Sequence, residues 1–262
     1  MMTFPNIDPV ALQIGPLAIR WYALAYIAGV ILGWRYATSL TKRFQTGITA
    51  EHFTDFISWV VLGILLGGRI GYVLFYNLDF FVQHPADALM IWHGGMSFHG
   101  GLLGVIIAAF LFCRVNKLRF FLLTDMLACV TPIGLFFGRI ANFVNGELYG
   151  RPSDVPWAMV FPRGGDAPRH PSQLYEAGLE GLLLLIILGG LARIKAVQMR
   201  EGTLSGMFLI LYGAFRSFSE CFREPDIQIG FLAGGTTMGQ ILCIPMIAFG
   251  FWLVWKSRPL KT

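Results

Sequence analysis

Apolar runs of membrane-spanning length alternate with polar connections along almost the whole chain. The runs cover about 21–39, 53–76, 100–113, 120–137, 173–192, 203–222 and 238–255. A helix rising 1.5 Å per residue needs about 20 residues to cross a hydrocarbon core of about 30 Å. The third run is short unless the glycine-rich stretch before it also sits at membrane depth. Before the first run, Pro5, Pro9 and Pro16 block a long helix, so the lead-in is expected to be extended or partly interfacial. Trp21 and Tyr22 then open that run where an aromatic belt would lie. Residues 138–171, between the fourth and fifth runs, form the longest non-spanning stretch. With Pro152, Pro156, Pro162, Pro168, Pro171 and the Gly164-Gly165 pair, it exceeds an ordinary connection and predicts a small cap. The pattern predicts an all-α integral membrane protein: one polytopic domain over 1–262, with seven transmembrane helices and that cap.

Charge orients the predicted helices. Lys42, Arg43, Arg114, Lys117, Arg119, Arg193, Lys195, Arg200, Lys256, Arg258 and Lys261 all follow the first, third, fifth and seventh runs. The connection after the second run has no Lys or Arg, and the one after the sixth has only Arg223. The positive-inside rule then puts the N-terminus outside and the C-terminus in the cytoplasm, with the cap and His99 on the outer side. Of the 262 residues, 55% are hydrophobic and 13% charged, against about 25% charged in a soluble domain. That excludes a large soluble domain beside the spans. The net charge of +5 is dispersed between apolar runs, so it gives no sign of a nucleic-acid partner. The lead-in has no basic n-region and is not expected to be a cleavable signal peptide. Cys113, Cys129, Cys221 and Cys243 show no CxxC spacing, and small buried hydrophobes are expected rather than a metal site or disulfides.

Three polar constellations interrupt this pattern. The segment from Gly134 to Arg151 carries Arg139, Asn142, Asn145, Glu147 and Arg151. If it is helical, Arg139, Asn142 and Gly146 share one face. Arginine at bilayer depth costs about 2.5–3.5 kcal/mol on insertion scales, which favours a polar or anionic occupant; the alternative is an arginine snorkelling to the surface. His93-Gly-Gly-Met-Ser-Phe-His-Gly-Gly101 brings two Gly-Gly pairs, able to approach a ligand or another helix, and an imidazole at His99 just outside an apolar run. The alternative there is a histidine acting as structural glue. In the sixth run Tyr212, Arg216, Glu220 and Arg223 fall within about 80° of helical arc. They form either a ligand site or an internally neutralised Arg216–Glu220 pair. Arg69, Glu176 and Glu180 admit the same neutralising role. Two guanidiniums converging inside a bilayer suit phosphate oxygens, hence a phospholipid headgroup, and a base nearby makes transfer chemistry reasonable.

Gly94-Gly-Met-Ser-Phe-His-Gly-Gly101, Gly138-Arg-Ile-Ala-Asn-Phe-Val-Asn-Gly-Glu147, Arg169-His-Pro-Ser-Gln-Leu-Tyr-Glu176 and Tyr212-Gly-Ala-Phe-Arg216 together resemble the bacterial prolipoprotein diacylglyceryl transferase family. The likeness runs from Gly15–Tyr22 to the Met238-Gly-Gln-Ile-Leu segment. It implies a multi-pass inner-membrane enzyme with a periplasmic cap and its active site towards the periplasm. The diacylglyceryl group of phosphatidylglycerol would move onto the lipobox cysteine of a prolipoprotein signal peptide, forming a thioether and releasing glycerol phosphate. By motif position Arg139 and Arg216 would hold the phosphate and His99 would be the candidate base. Asn142, Asn145, Glu147, Gly150 and Glu220 would complete the site, with Tyr22 and Tyr212 lining it. His170 and Gln173 match a family motif without a clear role. No metal or organic cofactor is implied. An anion or phospholipid transporter is the rival reading, against which no internal repeat pairs the two halves. A membrane serine protease is weaker, because no histidine follows Ser205.

Overall fold

A computed structural model describes residues 2–5, 7–44, 47–225, 230–257 and 259. Arg258 and Lys261, used above for orientation, lie outside the described residues. The lead-in is extended and closes into an unforeseen hairpin. Strands β1 (Val10–Ile14) and β2 (Leu17–Arg20) pair antiparallel around Gly15, which has φ +57°. Seven helices of 18 residues or more then follow among the described residues: α1 (Trp21–Phe44), α2 (Ala50–Tyr76), α3 (Phe98–Val115), α4 (Phe120–Val144), α5 (Ser172–Leu191), α6 (Thr203–Glu220) and α7 (Met238–Lys256). By length and composition α2, α3, α4, α5 and α7 can cross a membrane. Helices α1 and α6 carry more polar and aromatic residues and fall outside that set.

Several boundaries differ from expectation, each for a local reason. Helix α1 runs to Phe44 because nothing in Leu40–Phe44 breaks it, and Lys42 and Arg43 sit favourably at its C-terminal dipole. Helix α2 starts at a capping box: Oγ1 of Thr49 accepts from the His52 amide, and the Thr49 amide donates to Nδ1 of His52. Helix α3 starts at Phe98, capped by Ser97, so His99 lies inside its first turn rather than ahead of it. Helix α4 continues through Arg139 and Asn142 to Val144. Gly146 therefore lies beyond the helix, with φ +62°, and does not share a helical face with Arg139 and Asn142. Helix α5 contains a π-helical segment, Ala177–Leu183, that no periodicity announced.

The chain divides into two compact units. In the unit of Thr38–Thr124, α2 and α3 cross along glycines. A Cβ on Gly104 would lie 2.0 Å from the Gly63 carbonyl oxygen, and one on Gly67 would lie 2.4 Å from that of Gly100. Backbones this close gain dispersion contact that larger side chains would prevent. The second Gly-Gly pair of the His93–Gly101 stretch thus serves helix packing. Arg69, buried in α2, spends its donors on the connection to α3. It donates to the carbonyls of Asp87, Ala88, Met90, Gly94 and Gly95. An acidic partner for Arg69 was admissible from sequence, and loop carbonyls take that place because five N–H groups match a turn with free acceptors.

The other unit comprises Met1–Ala37 and Asp125–Thr262. Buried Asp125 in α4 accepts from the amides of Gly202 and Ser205 and from the Ser205 hydroxyl, each at 2.7 Å, and so anchors the start of α6. The stretch after α4 is held by cationic side chains on carbonyls. Arg151 donates to Arg223 O and Glu220 O, and Arg169 donates to Gly164 O and Gly150 O and pairs with Glu224. Cys113, Cys129 and Cys243 are buried as expected, whereas Cys221 is exposed, because the chain leaves α6 there.

Candidate active site

Helix α5 supplies the centre of the site, and both of its carboxylates lie in an otherwise apolar helix. Glu176 and Glu180 are four residues apart and fully buried. A buried carboxylate needs a cation, and α4 and α6 provide them. Arg139 Nε lies 3.2 Å from Glu176 Oε2, and its Nη2 lies 3.6 Å from Glu180 Oε2. Arg216 Nη1 contacts Glu176 Oε1 and lies 3.7 Å from Glu180 Oε1, while its Nη2 contacts Glu220 Oε1. Arg223 Nη1, just past α6, lies 3.8 Å from both Glu176 Oε1 and Glu220 Oε1. Three guanidiniums therefore face three carboxylates. The arginine side chains keep 12–16% of their surface, so the cluster is nearly but not wholly enclosed.

Sequence reasoning left open whether Arg216–Glu220 neutralises itself, and the contact is made. The two arginines singled out from sequence do converge, through the shared Glu176. Glu180 is the weakest link: among the described residues neither of its buried oxygens has a hydrogen-bond partner. Tyr212, one turn before Arg216, stacks on Phe208 with centroids 5.6 Å apart. Tyr22 in the first turn of α1 meets Tyr26 hydroxyl to hydroxyl at 3.4 Å.

A second cluster begins one turn beyond Arg139. Asn142 Nδ2 donates to Glu147 Oε1 at 2.8 Å, and Asn145 Nδ2 reaches the same oxygen at 3.4 Å. Gln173 Nε2 donates to the Glu147 carbonyl at 2.7 Å, and Ser172 Oγ donates to Leu148 O at 3.1 Å, so the start of α5 ties down this loop. Leu148 holds φ +56°, an uncommon left-handed backbone for such a residue. Gly150 donates to the His170 carbonyl, and a Cβ on it would lie 2.4 Å from Phe222 O and 2.7 Å from His170 Cβ. Its glycine is thus required by a backbone crossing. The His170 ring faces the Tyr175 hydroxyl, which also accepts from Trp157 Nε1, and burial holds the His170 imidazole below its ordinary range.

His99 belongs to the other unit, where it is exposed in the first turn of α3, its ring edge-on to Phe98. Glu176 and Glu180 are more central than their sequence context suggests, and their i, i+4 spacing inside an apolar run is the signal that marks them. Tyr175 and Trp157, which meet at the His170 ring, carry no comparable mark in the sequence.

The family model for prolipoprotein diacylglyceryl transferase matches residues 9–256. The phosphatidylglycerol–prolipoprotein diacylglyceryl transferase of Azospirillum brasilense is 58% identical to this chain, over 98% of it and 97% of that protein. Proteins of the same name from Rhodospirillum centenum and Paramagnetospirillum magneticum are each 56% identical, over 99% and 98% of this chain and 95% and 96% of their own lengths. With arginines and carboxylates gathered inside apolar helices and a match of that extent, the chain belongs to the prolipoprotein diacylglyceryl transferase family.

Proposed function

We propose that this chain transfers the diacylglyceryl group of phosphatidylglycerol to the lipobox cysteine of a prolipoprotein, forming a thioether and releasing glycerol phosphate. The observation that carries the reading is the convergence of Arg139 and Arg216, from different helices, on buried Glu176. A guanidinium pair held by carboxylates is pre-set in direction before a phosphate arrives. Glu180, at 3.6 and 3.7 Å from the two arginines and without a hydrogen bond, is the partner a phosphate oxygen would displace. Asn142, Asn145, Glu147 and Gly150 would hold the headgroup side, and Tyr22, Tyr212 and Glu220 would shape the remainder.

In the reaction the cysteine sulfur attacks the glycerol methylene that bears the phosphate ester. The S–C bond forms as the C–O bond breaks, and the electron pair leaves on the phosphate, where Arg139 and Arg216 stabilise the growing charge. A free thiol has a pKa of about 8.5, so its proton must be taken up at neutral pH. His99 is the candidate acceptor, on its sequence motif. Two acyl chains then anchor the product stably. In this reading the chain is a seven-span protein of the bacterial inner membrane, with its N-terminus outside, its C-terminus in the cytoplasm, and 138–171 as a periplasmic cap.

The test is direct. Purified protein is incubated with phosphatidylglycerol and a lipobox peptide carrying one cysteine, and the peptide is weighed by mass spectrometry. A gain of one diacylglyceryl mass on sulfur, absent from the Cys→Ser peptide, is expected. An unmodified peptide with folded protein overturns the reading.

A further inference from the structure

We infer that Thr237 is a positioning residue for this transfer: it fixes the Glu220 carboxylate and, through it, the Arg216 guanidinium. The inference rests on the role given to Arg216 above. Thr237 is 3% exposed and serves two partners at once. Its oxygen accepts from the Gln240 amide at 3.3 Å, which caps α7, and its O–H donates to Glu220 Oε2 at 2.7 Å. The cap uses only a lone pair, so the hydroxyl proton is free for the carboxylate.

The neighbouring backbone is shaped to the same group. A Cβ on Gly239 would lie 2.8 Å from both Cδ and Oε1 of Glu220. The other oxygen, Oε1, is taken by Arg216, with Arg223 at 3.8 Å. Each oxygen thus has a partner on a different helix, Oε2 at the start of α7 and Oε1 in α6. Helix α7 is itself fixed on α6, because a Cβ on Gly206 would lie 2.7 Å from Gly250 O and one on Gly213 would lie 2.6 Å from Ile247 Cγ1. The carboxylate is therefore set from α7, and Arg216 is stretched between it and Glu176. Without the Thr237 bond Glu220 Oε2 loses its anchor on α7, and the Arg216 fork loses one of the two fixed ends that orient it.

The experiment compares wild type, T237V, T237S and G239A, measuring KM and kcat for phosphatidylglycerol with the lipobox peptide, and the unfolding midpoint. T237V is expected to raise KM for phosphatidylglycerol about tenfold, the scale of a lost hydrogen bond to a charged group, with KM for the peptide unchanged. T237S keeps the hydroxyl and is expected to stay near wild type. G239A retains Thr237 but crowds the carboxylate, so it should show the same KM shift, and it decides the matter if T237V does not fold. An inactive wild type overturns the reading of the reaction itself. With wild type active, an unchanged KM in the folded variants, or T237S impaired as much as T237V, overturns the positioning role.

Discussion

Arg139 and Arg216 are accommodated inside apolar helices because Glu176 offers one oxygen to each. Such a group is expected to matter for folding as well as chemistry. Glu176→Ala leaves two buried guanidiniums undercompensated and should lower stability by about 3–5 kcal/mol, read from unfolding in detergent. Arg139→Ala should cut transfer by 10²-fold or more, because the proposed reaction assigns it as a preorganised donor to the leaving group; single-turnover kinetics will show it. His99→Gln should slow the same step by about 10²-fold if the imidazole accepts the thiol proton. Both arginines were legible in the sequence, since cations are rare in apolar runs. Their pairing was only partly so: Glu220, Glu176 and Glu180 were all admissible partners, and only the tertiary fold assigns Glu176 to both arginines and adds Thr237 behind Glu220. Arg69 shows the opposite outcome, an equally conspicuous arginine that spends its donors on loop carbonyls.

Among the elements, the apolar cores of the helices follow directly from hydropathy, whereas their ends do not. Helix α4 outran its expected end by seven residues, from 137 to 144, because Arg139 and Asn142 find partners in the fold and need not stop the helix. The π segment in α5 had no sequence mark at all. Close helix crossings were half legible: the glycines of α2 and α3 were visible, but which faced a helix and which a turn was not. Gly104→Leu should therefore be severe, since its Cβ would lie 2.0 Å from a backbone oxygen. Overpacking of this kind costs about 1–3 kcal/mol or more, which should appear as a lower unfolding midpoint. Gly190→Ala in α5, with nothing within 4 Å of the added methyl, should be neutral or slightly stabilising in the same measurement.

For the molecule as a whole, stability should depend on pH through His170. Its imidazole is held below its ordinary value of about 6.5 by burial, so the unfolded chain binds that proton more readily. The contribution is complete above about pH 6.5 and is lost as pH falls through the lowered folded value. Unfolding midpoints between pH 5 and 8 should drop less steeply for His170→Gln than for wild type. The charge ledger of the Arg139–Glu176 cluster also has an order in time. The chain acquires Arg139 with α4, then two acids with α5, and regains neutrality for good only when Arg223 follows α6. During synthesis, then, a ribosome stalled after α5 leaves two acids sharing the single guanidinium of Arg139, and truncated products should be cleared by membrane proteolysis rather than persist as stable partial folds.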